Sequence, residues 1–207
     1  MPDEFTDAAR ARIALSAAAR DLADAALGLV PTEDESTHHS VQGLIERVDQ
    51  LAAAVDELRR LAVIHGRERY LSWEDVGAAL GVTRQTAHER FAKVVDEWRD
   101  NLYDPARHTY SWMPAGAYNP SETVSRLQSW LARHDTERGE PRGVAAGLPA
   151  YTPIQRTNET LGRANWLSVR LRQGLPISPE AEADHHRRKD IATTDAMAEL
   201  ERLRAGD

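Results

Sequence analysis

The stretch Leu71–Trp98, LSWEDVGAALGVTRQTAHERFAKVVDEW, constrains this chain more than any other, because its caps, glycines and apolar residues read as two helices joined by a tight turn. Ser72 is placed to cap the first helix, and Asp75 completes a reciprocal pair, so backbone donors left open at a helix start find acceptors. Val76, Ala79 and Leu80 fall on one face of this short helix, and Gly77 leaves room for a second helix to cross closely. Gly81 supplies the left-handed conformation that ends a helix, and Val82 then points back into the core. Thr83 caps the next helix, in which Ala87, Phe91, Val94 and Trp98 recur at steps of three and four as a buried stripe. Arg84, Gln85, Glu89, Ala92 and Lys93 face elsewhere, with Thr86 and His88 on the flanks.

Small residue, apolar pair, glycine, apolar residue, capping threonine and polar-fronted helix together resemble the bacterial helix-turn-helix, whose second helix enters the major groove of DNA. The resemblance covers about residues 71–98 only. It is to the tri- and tetra-helical versions of bacterial regulators and of the promoter-reading region of sigma factors, where a run similar to GVTRQTAHERF opens the recognition helix. The chain departs from that pattern at Arg90, where the family usually has an apolar residue, and the anchor is displaced by one position to Phe91. The resemblance implies double-stranded DNA as partner, with Arg84 and Gln85 on base edges, arginine favouring guanine and glutamine adenine. Thr83, His88 and Lys93 then fix register on phosphate, and Glu89 either accepts from cytosine or holds Arg84's neighbours in place. The competing reading of the same stretch is an ordinary helical hairpin in a bundle.

Two further seams precede this motif. Residues 5–30 carry Ala8, Ala11, Leu15, Ala18, Leu22, Ala25 and Leu29 at three-four spacing, and small seam residues allow close helix approach. Pro31 and a polar run form a loop, and a long helix begins near Ser40, with Val41, Leu44, Val48, Leu51, Val55, Leu58 and Ala62 as its seam. The two helices fit an antiparallel hairpin or a pairing between chains, and the second also fits as the first helix of the DNA-binding bundle. A homodimer through residues 5–62 is expected. His65–Tyr70 links this helix to the turn motif as a charged segment.

Beyond Trp98 the run DNLYDPARHTYSWMPAGAYNP is too rich in proline and aromatics for one regular helix, and is expected as an ordered loop. Asn119, Pro120 and Glu122 start a helix with Val124, Leu127, Leu131 and His134 on its apolar face and Trp130 beside them. Asp135–Tyr151 has linker composition, and the domain boundary is placed there. The expected division is an acidic N-terminal helix over 1–39, a helix-turn-helix bundle over 40–135, and a linker with a helical extension over 136–207. In the extension, Thr152 and Pro153 start a helix to Gly174 with Ile154, Leu161, Ala164, Leu167 and Leu171 on one side. Ser178 and Pro179 start a last, charged helix whose knot His185, His186, Arg187, Arg188 and Lys189 reads as a solvated face. With few large apolar residues, this extension is expected to dock on a protein partner or a second subunit.

Charge bears on function. The net charge of −7 argues against a protein that coats DNA non-specifically. Residues 1–58 hold four arginines against twelve carboxylates, whereas residues 59–110 hold nine basic residues against eight acidic. Only Lys93 and Lys189 among the 26 basic residues are lysines, which with the abundant alanine points to a GC-rich bacterial source. The chain has no cysteine and no apolar run near the roughly 20 residues that span a membrane, and its first residues are acidic, so a cytoplasmic protein without a membrane partner is expected. No phosphate loop, nucleophile elbow or zinc-protease motif occurs, and the adjacent pairs His38–His39 and His185–His186 lack the spacing that puts two ligands on one helix face. Neither metal, cofactor nor enzymatic activity is expected. The sequence thus predicts an all-α fold, a helical hairpin plus helix-turn-helix bundle with a helical C-terminal extension, serving a DNA-binding bacterial regulator. The rival is a protein-interaction adaptor in which the turn motif is only scaffold.

Overall fold

The computed structural model describes residues 5–30, 40–107, 113–134, 143–144, 148 and 152–205. Among them the fold is all-α: α1 (Asp7–Leu27), α2 (Val41–Glu68), α3 (Trp73–Leu80), α4 (Arg84–Tyr103), α5 (Ala115–Tyr118), α6 (Pro120–His134), α7 (Pro153–Arg172) and α8 (Pro179–Ala205), with a 3-10 turn at Pro105–Arg107. The loop expected after Pro31, the pair His38–His39 and nearly all of Asp135–Tyr151 lie outside the described residues. No described helix is long and apolar enough to cross a membrane. The chain forms two compact units, one from Arg10–Val95 and Pro114–Leu148, the other from Met1–Ala9, Asp96–Met113 and Pro149–Asp207.

In the first unit, Ser40 starts α2 by accepting the Gly43 N–H on its Oγ at 3.1 Å. The helix runs through Glu68, so most of the segment expected as a link is its last turn. There Leu61, Val63 and Ile64 bury, as do Val76 of α3 and Ala87, Phe91 and Val95 of α4. The α4 stripe therefore takes Val95 where the spacing predicted Val94, which is only half covered: the stripe slants across the helix. In α3, Val76 and Gly77 are the buried positions and Ala79 is exposed, because the helix turns its glycine toward the chain that follows it.

In α1, Ala11, Ile13 and Ala14 are fully buried, while Leu15, Ala18 and Leu22 of the predicted seam are half covered and Ala25 is exposed. The reason is a close approach by α5, where a Cβ on Gly116 would lie 2.8 Å from the Ala14 backbone; Arg10 also donates to the Ala117 carbonyl. On α6, Thr123 and Leu127 bury and Leu131 is half covered, but His134 is exposed at the helix end.

The second unit contains the α7–α8 hairpin. Arg163 pairs with Asp184 at 3.1 Å and Arg156 with Asp195 at 2.8 Å, so a step back along α7 is a step forward along α8 and the helices are antiparallel. Thr152 and Gln155 form a reciprocal cap at the start of α7. The predicted apolar face of α7 is only partly inward: Ala164 and Leu167 are half-covered, Ile154, Leu161 and Leu171 are exposed, and Arg163 and Arg170 are buried. Arg163 also pairs with buried Asp7 at 3.3 Å and lies over the Tyr103 ring at 4.2 Å, and the Tyr103 hydroxyl donates to Asp7 at 3.2 Å. Arg170 pairs with Asp100 at 2.7 Å, and Trp166 donates its indole N–H to the same carboxylate at 2.6 Å. A guanidinium that has an ion pair and an aromatic face to rest on tolerates burial that a bare one would not. That set of partners replaces the large apolar residues this segment lacks.

Candidate nucleic-acid interface

The turn motif is fixed at each of its joints. Ser72 Oγ accepts the Asp75 N–H at 3.1 Å, and the Asp75 carboxylate accepts the Ser72 N–H at 2.9 Å. The Ser72 hydroxyl donates to the same carboxylate, and this bond and the backbone one hold Asp75 below the ordinary carboxylate range. At the far end of α3, Gly81 sits at φ 67°, and the Val82 N–H donates to the Gly77 carbonyl at 2.9 Å. Thr83 Oγ1 accepts the Thr86 N–H at 3.1 Å and so caps α4. Both helices that flank the turn thus have closed ends, which fixes the angle at which α4 leaves it.

Thr83, Arg84, Gln85, His88, Glu89 and Lys93 are all exposed, while Ala87, Phe91 and Val95 bury behind them. Arg90 is exposed too, and Phe91 is the anchor in the core. Gln85, Glu89 and Lys93 follow one another at steps of four along the outward face. Arg84 shares the angular line of the buried stripe but is the first residue of α4, so it projects past the core, and among the described residues it has no hydrogen bond or ion pair. Gln85 donates from its amide to Glu89 at 2.9 Å.

Trp73 organises the flank, and sequence reading gave it no role. The Arg67 guanidinium lies 4.7 Å over its ring, Arg67 also donates to the Leu71 carbonyl, and His88 meets the ring edge-on at 5.3 Å and 77°. The last turn of α2, the start of α3 and the outer side of α4 are thereby joined through one indole, which orients His88. Residues 73 and 88 have no helical spacing to link them, so only the crossing of α3 and α4 reveals the contact. His185 and His186 lie in the other unit, on α8. No family model matches the chain, and no curated protein and no solved structure matches it.

Proposed function

We propose that this chain is a sequence-specific DNA-binding protein, a bacterial transcriptional regulator that reads the major groove with α4. The observation that carries this reading is the turn itself: a capped α3, a left-handed Gly81 and a threonine-capped α4 whose first turns expose Arg84, Gln85, His88 and Glu89 over a buried stripe. Arg84 offers a planar fork for guanine and Gln85 an amide for adenine, the latter steadied by Glu89. Thr83, His88 and Lys93 serve phosphates beside them. Selection from random duplexes tests the proposal. Enrichment of one motif, lost at one or two positions with Arg84→Ala and Gln85→Ala, supports it; no enrichment gives way to the adaptor reading, with the turn as scaffold.

The regulator acts as a homodimer through residues 5–62. The first turns of α2 leave Val41 75%, Ile45 65% and Val48 56% exposed on one face, an apolar ridge open to solvent. A second copy covers that ridge and presents a second α4, which suits two half-sites about one helical turn of DNA apart. Sedimentation at micromolar concentration checks it: a dimer that Val48→Asp converts to a folded monomer is expected, and a wild-type monomer removes this part of the proposal.

A further inference from the structure

We infer that the cleft between α1 and α6 is a binding site for a small carboxylate with an aromatic or aliphatic body. The cleft is open on one side, has a volume of about 360 Å³, within the range of small-molecule sites, and its lining, Val144 and Leu148 included, belongs wholly to the unit that holds the turn motif. Its floor on α1 is Ser16 and Ala19, whose small side chains leave the space above them unfilled. Its wall on α6 is Leu127, Trp130 and Leu131.

That wall is built rather than incidental. The Trp130 indole N–H donates to Asp24 at 2.8 Å, and its ring stacks on His134 with centroids 4.5 Å apart and planes at 25°. Bonded at its edge and stacked on one face, the indole stands in a fixed orientation and loses little freedom when a flat or flexible apolar group settles against it.

The charge on the cleft selects the ligand's head. Arg12 and Arg20 line it, and none of its described lining residues is acidic, although the first 58 residues hold twelve carboxylates against four arginines. Arg20 is engaged by Asp21, whereas Arg12 is exposed and has no hydrogen bond or ion pair among the described residues. The two arginines are eight residues apart, about 12 Å at the helical rise, too far to clamp one compact anion between them. A planar carboxylate matches the single fork of Arg12 in bidentate fashion. Its apolar body then runs along Ser16 and Ala19 against Trp130, over the ~10 Å that separate residues 12 and 19. The site does not depend on whether α4 reads DNA.

Calorimetry of the full chain with phenylbutanoate, phenylbutanol and phenylbutylamine tests the site. Phenylbutanoate is expected to bind saturably and about tenfold or more tighter than the alcohol, as a charge-assisted pair requires, with the amine weakest. Arg12→Ala should bring phenylbutanoate to the alcohol's affinity and leave the alcohol unchanged. Ala19→Leu, at an exposed position that does not carry the fold, should fill the floor and weaken both. No saturable binding of phenylbutanoate overturns the inference, as do equal affinities for the three probes or an Arg12→Ala protein that binds phenylbutanoate as the wild type does.

Discussion

Gly77 is the residue on which the geometry of the turn depends, and replacing it by alanine gives a prediction whose sign is set by distance. A helical glycine changed to alanine ordinarily gains about 0.5–1 kcal/mol, because alanine has less backbone freedom to lose. At Gly77 the new Cβ would stand 2.8 Å from the Val82 carbonyl oxygen and 3.1 Å from the Arg84 nitrogen. Ordinary contact begins near 3.4 Å, so the turn would have to retreat by about 0.6 Å. The atoms in the way are backbone, and they belong to a turn already closed by the Val82 to Gly77 hydrogen bond and the Thr83 cap, so they cannot rotate aside as a side chain would. Overpacking of this kind costs about 1–3 kcal/mol, which exceeds the propensity gain.

Gly162, inside α7 with nothing within 4 Å of a built Cβ, provides the opposite case. Urea unfolding followed by circular dichroism should therefore show a lower midpoint for Gly77→Ala and a higher one for Gly162→Ala, the latter by about 0.5–1 kcal/mol. Gly81→Ala tests strain without crowding: nothing lies within 4 Å, yet φ is +67°, so a loss of about 1–2 kcal/mol is expected, with Gly81→Asn milder. If Gly77→Ala proves as stabilising as Gly162→Ala, the turn does not press on α3 and the account of how α4 is aimed is wrong.

Arg84→Ala and Gln85→Ala should each leave the fold intact and cost about 1–3 kcal/mol of DNA affinity at one or two positions of the site, whereas Phe91→Ala should lose about 3–5 kcal/mol of stability and binding with it; binding curves and denaturant midpoints separate the two. Few phosphates face so small a basic excess, so the slope of log affinity on log salt should correspond to fewer than about ten released ions, measured by titration at several salt concentrations. Arg163→Ala should cost about 3–5 kcal/mol by leaving Asp7 buried and uncompensated, against less than about 1 kcal/mol for Arg187→Ala at the exposed end of the Asp184 cluster. The pKa of His185 is lowered by burial first and then by the charges of His186, Lys189 and Arg163, so the unfolded chain protonates first; stability should fall as pH drops below about 6.5, and His185→Gln should abolish that step. Burial of Asp184 acts to raise its pKa, but the charge and hydrogen bond of Arg188, with Arg163 and Arg187 behind them, outweigh it and leave the carboxyl below its usual range. Its contribution is present above the ordinary aspartate value and should disappear only as pH falls through the lowered pKa, a second acid step seen in the same urea midpoints.

Helix starts were the most legible features of this sequence, and the reason is their range. Ser40, Ser72, Thr83 and Thr152 each bond a backbone N–H three residues away, so the sequence that shows the cap also contains its partner. The outward face of α4 was legible on the same ground: Gln85, Glu89 and Lys93 repeat with the helix, and Gln85 and Glu89 meet across one turn. The stripe behind it was readable to within one residue, because periodicity gives the buried side but not the slant set by neighbouring helices. Trp73 and His88 belong to the other category, a contact made by helix crossing, and so do the cleft residues on α1 and α6, more than a hundred positions apart.

The failure on α7 has a different cause, which bears on how such chains should be read. Ile154, Leu161, Ala164, Leu167 and Leu171 gave a three-four pattern, and an apolar stripe is taken as the inward face because burying it removes hydrocarbon from water. Yet Arg156, Arg163 and Arg170 repeat every seven residues on the same helix, and each has a carboxylate waiting for it: Asp195, then Asp184 with Asp7, then Asp100. Asp7 lies 156 residues from Arg163 in the chain, so nothing local marks the arginine as inward. Once paired, these arginines cannot be turned out without leaving Asp7, itself buried, with an unmet charge, a loss larger than the gain from covering one leucine. The seven-residue arginine repeat therefore decides which side of α7 faces in: Leu167, between Arg163 and Arg170, is half-covered, and Ile154, Leu161 and Leu171 are left outside.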